Sequence, residues 1–140
     1  MKKIIIFIVA LFMTGCSTTL VPVNQAKEIP PERLLKHKVL VDSGAQLTII
    51  RDSGVVGSAC YAVVYVNGSP SAKLETKEKA TLFLAPNEYS IGVNLDGTGL
   101  CAYGNARVER EIILKKGQHK YMRIFTQDDG NMDLLPTTVL

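Results

Sequence analysis

From residue 47 onward, apolar and polar positions alternate in short runs separated by turn residues. The runs are LTIIRD (47–52), CYAVVYV (60–66), SAKLE (71–75), ATLFLA (80–85), EYSIGVNL (88–95), VEREIILKK (108–116), KYMRIFTQ (120–127) and MDLLP (132–136). Their β-branched and aromatic content, with a period near two, predicts strands. Asn67-Gly68, Pro86-Asn87, Gly117-Gln118 and Asp129-Gly130 supply the turn chemistry expected between antiparallel neighbours. Seven or eight short strands at this spacing predict an all-β fold, a single antiparallel β-sandwich. No stretch of sufficient length carries a 3.6 period, which argues against βαβ units.

The N-terminal third follows a different pattern. Lys2 and Lys3 precede residues 4–13, which are uncharged and largely apolar. This is the layout of a secretory signal, and it falls short of the about 20 residues that a helix needs to cross a bilayer. The next stretch, MTGC at 13–16, resembles the bacterial lipoprotein box: Thr14, Gly15 and Cys16 fit, and Met13 stands where an aliphatic residue is usual. The resemblance implies that the Cys16 thiol accepts a diacylglyceryl group, that cleavage occurs before Cys16, and that the freed amine takes a further acyl chain such as palmitate. One acyl chain binds a membrane marginally, but each buried CH₂ adds about 0.8 kcal/mol, so two or three chains hold a protein there. An aspartate after the cysteine tends to retain such lipoproteins at the inner membrane. Ser17 lacks that signal, so the resemblance favours the outer membrane, with the protein facing the periplasm.

The chain is thereby divided into a signal peptide (1–15), a lipidated N-terminus and flexible tether (16–46) and a β domain (47–140). The expected tether contains three prolines and mixed polarity, with one or two helical turns at 32–37 after Pro30-Pro31. As a flexible coil it would let the domain stand roughly 30 Å off the bilayer.

Charge and cysteine content refine this picture. The 140-residue chain carries a net charge of +3, but Lys2 and Lys3 leave with the signal peptide, which lowers it to +1. No basic run remains to indicate nucleic acid. Cys16 is assigned to the lipid, leaving Cys60 and Cys101, an even pair in an exported domain, to be read first as a disulfide. Such a bridge would contribute on the order of 4 kcal/mol in the chain-entropy treatment. The competing reading is a reactive thiol with His119 or His37 as its base, which needs a free cysteine and an orienting group.

The stretch ACYAVVYVNGSPSAKLETKEKATLFLAPNEYSIGVNL (59–95) is similar to the core of a family of small enterobacterial lipoproteins, often prophage-encoded, and to PEGA-type surface modules. The shared pattern is a strand ending in "vyvdG", a short partner strand, an apolar strand, then "pPGeY" and another strand. Here those elements fall at 64–68, 72–74, 80–84 and 86–89. Asn87 replaces the usual glycine, and asparagine enters the left-handed region readily enough to keep the turn. The resemblance implies an immunoglobulin-like or transthyretin-like sandwich and no catalytic residues.

The remaining motifs have plain readings. GTGLCA (97–102) spells a dinucleotide fingerprint, but loop residues follow where a helix is required, so a mobile loop pinned by Cys101 is expected. DDGNMD (128–133) lacks EF-hand spacing and reads as a hairpin tip. Glu109 and Glu111, one strand step apart on one face, read as solvated charges, and Lys73, Lys77 and Lys79 as edge protection. No cofactor or metal is called for. The expected function is therefore a non-catalytic, lipid-anchored interaction or structural module with an envelope protein partner. The alternative is a peptidoglycan or glycan-binding module using Tyr61, Tyr65, Tyr89, Tyr103 or Tyr121 as stacking platforms. For these tyrosines, cross-strand packing is the competing role.

Overall fold

The computed structural model describes residues 18–102 and 106–140. The leader, the lipoprotein box with Cys16 and Ser17, and Tyr103 lie outside the described residues. Among the described residues nine strands form: β1 (Lys27–Glu28), β2 (Ala45–Arg51), β3 (Ala62–Val66), β4 (Ser69–Leu74), β5 (Glu78–Leu84), β6 (Asn87–Leu95), β7 (Val108–Leu114), β8 (His119–Thr126) and β9 (Met132–Pro136). They make two sheets, β1-β5-β2-β8-β9 and β4-β3-β6-β7, packed face to face as a β-sandwich. Eight of these strands coincide with the eight alternating runs.

The alternation explains the packing. On β5, Glu78, Ala80, Leu82 and Leu84 are buried, while Lys79, Thr81 and Phe83 on the other face are half-buried. Leu47, Ile49, Val64, Ile91, Ile124 and Leu134, all fully buried, bring both inner faces into one core. The β3–β4 hairpin turns at Asn67 and Gly68, both at positive φ (47° and 77°), as two-residue hairpin loops of this hand require. The Asn67 side-chain oxygen accepts the Ser90 amide at 2.9 Å and ties that turn to β6.

The sandwich is antiparallel-rich, as expected, and also contains two parallel pairs: β2 runs parallel to β8 and β1 parallel to β5. Turn chemistry dictates the direction of sequential neighbours only, and neither of these pairs is sequential. Asn87 is not left-handed: it opens β6, and its side-chain oxygen accepts the Glu88 amide at 2.8 Å. Among the described residues, the non-glycine positions at positive φ are His37, Ser43, Asn67 and Lys77.

A further correction concerns the tether. From Thr18 onward it is a strap laid on the sandwich. Thr19 pairs with Ser53, Val21 donates to Asp52 Oδ1, and Val23 donates to the Val139 carbonyl. The strap then adds β1 to the edge of β5, and Leu34 bridges Ala72 on β4. Ala26 and Ile29 are buried, so the strap closes the open side of the sandwich between β5 and β4 with apolar side chains. The predicted helical turn shrinks to one 3₁₀ turn at Pro31–Arg33. Lys79 is accordingly no edge guard: its ammonium meets the Val23 carbonyl at 3.0 Å, under the strap.

Candidate functional site

Two of the exposed features lie at the two ends of β2. At its C-terminal end lie the loops 52–61 and 127–131, the segment 96–102, and Thr18 of the strap. Thr18 Oγ1 donates to the Thr126 carbonyl at 2.5 Å, and Thr18 lies against Gly54. This end is held from below by Arg51. Its position shares parity with Leu47 and Ile49, so its side chain enters the core layer, where it is 2% exposed. The guanidinium donates to the carbonyls of Cys60 (2.5 Å), Leu74 (2.9 Å) and Gly57 (2.7 Å). Burial pushes its pKa down to about 10, with Glu75 and Glu78 pulling the other way, so it remains a cation at neutral pH. Above it, Cys60 and Cys101 stand at disulfide distance, their Cα atoms 5.7 Å apart. The fingerprint-like GTGLCA folds as a single 3₁₀ turn, Gly99–Ala102, beside that pair.

Two ion pairs fix the strap to this frame. Arg33 holds Glu78 through two bonds, Nη1 to Oε2 at 2.7 Å and Nη2 to Oε1 at 2.8 Å, and lies 5.2 Å from the Tyr61 ring centre. Burial works to raise the Glu78 pKa, but the bonds from Arg33 and from the Glu75 amide outweigh it and leave it below its ordinary value. Those same bonds with Glu78 raise the pKa of Arg33. Asp52, fully covered, pairs with Arg123 on β8 and accepts the strap's Val21 amide.

At the N-terminal end of β2 the loop before it carries Val39 (76% exposed), Leu40 (71%) and Val41 in succession, with Leu35 exposed nearby. A tight turn sets them outward. Gly44 donates to the Val41 carbonyl at 2.8 Å and has room for no side chain, because a Cβ there would lie 2.7 Å from that oxygen.

A third feature is a cleft of about 350 Å³ lined by Ile112, His119, Tyr121, Met122, Pro136 and Leu140, among others. The His119 and Tyr121 rings stack 4.2 Å apart, and a hydrogen-bond chain runs from the Tyr121 hydroxyl to His119 Nδ1 (3.0 Å), from Nε2 to Thr48 Oγ1 (2.8 Å) and on to Thr81 Oγ1 (2.7 Å). Burial lowers the His119 pKa, which favours the neutral ring. Both ring nitrogens are engaged by hydroxyls of the fold, and the ring lies on the outer face of β8, away from Cys60.

The other residues singled out in the sequence fall apart in space. Arg107 lies over the Tyr65 ring (4.7 Å) and pairs with Glu109 (2.9 Å) on the outer face of the four-stranded sheet. Tyr89 donates to the Ala85 carbonyl and packs against the core. The 128–133 stretch is a hairpin tip: Asp129 accepts from the Asn131 amide and side chain, which lowers its pKa, and Asp133 pairs with Arg110. Among the described residues, no group of three His, Cys, Asp or Glu side chains comes together in a way that could hold a metal ion. Arg51 was the main residue missed, though its parity with Leu47 and Ile49 was a readable signal. No protein-family model matches the chain, and no curated protein matches it.

Proposed function

We propose that this protein is a lipid-anchored lipoprotein of the bacterial envelope, held by acylated Cys16 at the outer membrane, facing the periplasm, and working as a non-catalytic interaction module. The observation that carries this reading is polarity along the domain axis. The chain toward Cys16 leaves at one end, and an apolar tip, Val39 to Val41, projects at the other. A seven-residue strand separates the two, about 20 Å at 3.3 Å per residue. Solvent-exposed aliphatic residues in succession mark contact sites on small domains.

The test is mild crosslinking in cells that carry the wild-type protein or Leu40→Asp. A defined envelope protein captured by the wild type and lost with Leu40→Asp supports the reading. An N-terminal peptide still beginning at Met1 would refute the anchor. A second reading, glycan binding, rests on the cleft beside Tyr121 and His119. Sedimentation with peptidoglycan sacculi that Tyr121→Ala abolishes would favour it over a protein partner.

A further inference from the structure

We propose that the end of the sandwich carrying Val55 and Leu100 lies directly on the bilayer surface, so that the domain is seated on the membrane and does not swing from it. The inference rests on acylation of Cys16 and adds an orientation to it. Thr18 is bonded to the fold, through its hydroxyl to Thr126, and its neighbour Thr19 pairs with Ser53 in both directions. Only two residue steps separate Thr18 from Cys16, a reach of at most about 7 Å. An acyl chain on Cys16 therefore brings this end, and no other, to the headgroups.

What that end presents suits the position. Leu100 is 90% exposed and Val55 is 72% exposed. Val55 follows Gly54, which touches Thr18, and Leu100 precedes Cys101, which stands against Cys60 at the close of the same loop. The two side chains thus belong to loops held together beside the chain's exit. The polar groups around them decide the kind of surface. Asp52 and Asp96 are occupied by Arg123 and Lys73, and Glu75, Asp128 and Asp129 are exposed against Lys77. This balance gives no attraction to anionic lipid, so the contact is apolar insertion into a zwitterionic interface. Two side chains suffice, because the anchor already makes the encounter intramolecular.

The chain contains no tryptophan, so a single one reports its own surroundings. Val55→Trp, Leu100→Trp and, as the distal control, Leu40→Trp would each be prepared as the full lipidated protein. They would be reconstituted in phosphatidylethanolamine–phosphatidylcholine vesicles, with and without phosphatidylglycerol. Blue-shifted emission and quenching by brominated lipid are expected at positions 55 and 100 and not at 40, unchanged by phosphatidylglycerol or salt. Water-like emission at 55 and 100 in protein whose Cys16 is shown acylated by mass spectrometry overturns the orientation alone. An unacylated Cys16 overturns the anchor and the orientation together. A response that appears only with phosphatidylglycerol overturns the apolar contact.

Discussion

Replacing Arg51 with methionine removes a cation that reaches between the sheets to the loops beneath the Cys60–Cys101 pair. Three carbonyls lose a donor at 2.5, 2.9 and 2.7 Å. Hydrogen bonds to a charged group contribute about 1.5 to 3 kcal/mol each, so the gross loss is roughly 4.5 to 9 kcal/mol. Against this, the cation no longer has to be buried. Burial pulls its pKa down from the ordinary guanidinium range to about 10, which corresponds to about 3 kcal/mol at 1.36 kcal/mol per unit. The Gly57 carbonyl also keeps the Cys60 amide as a partner. The net expectation is a loss of roughly 2 to 5 kcal/mol, or a melting midpoint lowered by about 10 to 20 °C for a domain of this size. Urea and thermal unfolding followed by circular dichroism measure it. Arg51→Lys, which keeps the charge but loses the fork that spans three carbonyls, should fall between wild type and methionine. A methionine variant within about 0.5 kcal/mol of wild type would show that the pocket prefers an apolar side chain, as some buried ion sites do, and would refute the clamp. Combining it with Cys60→Ala supplies an internal check. Groups holding the same loop are expected to be non-additive by more than about 0.5 kcal/mol, whereas independent sites would sum.

Further predictions concern the strap, the cysteine pair and the cleft. Arg33→Ala leaves the Glu78 carboxylate covered without its partner, at a cost of about 3 kcal/mol for a broken buried pair, and limited proteolysis should then cut within 18–44 first; initial cleavage elsewhere would mean the strap is held by other contacts. Cys60 and Cys101 should resist alkylation in unreduced protein, and reduction should cost up to about 4 kcal/mol on the chain-entropy account; full labelling without reductant would reopen the free-thiol reading. Because burial lowers the folded-state pKa of His119, the unfolded chain takes the proton first, and stability should fall as pH drops below about 6.5. His119→Gln should flatten that slope, leaving the contribution of His37, whose pKa burial and Lys36 also lower; an unchanged slope would place the acid sensitivity elsewhere.

The β layers were legible because their signal is local. Each alternating run needed only its own residues to declare a buried and a solvated face, and Asn67-Gly68 needed only its dihedral preferences to declare a hairpin. What was hidden depends on contacts across the chain. The parallel pairing of β2 with β8 follows from no turn, since the Thr48 to Tyr121 neighbours are far apart in sequence. The strap was the larger omission, and its residues explain why. Ala26, Ile29 and Leu34 have neither a period of two nor one of 3.6, and they sit among prolines and charges in the composition of a linker. Their ordering comes from outside the segment: an open edge on β5, a carboxylate at Glu78 and an unfilled side of the core. The two readings of the same residues have opposite consequences for function. A free coil would let any face of the domain meet the membrane, and then no exposed patch would carry directional meaning. A strap fastened at Thr18 gives the domain an axis, with Val55 and Leu100 beside the chain's exit and Val39 to Val41 at the far end. On that axis the proposed lipid contact, at Val55 and Leu100, and the proposed partner contact, at Val39 to Val41, fall at opposite ends of one strand.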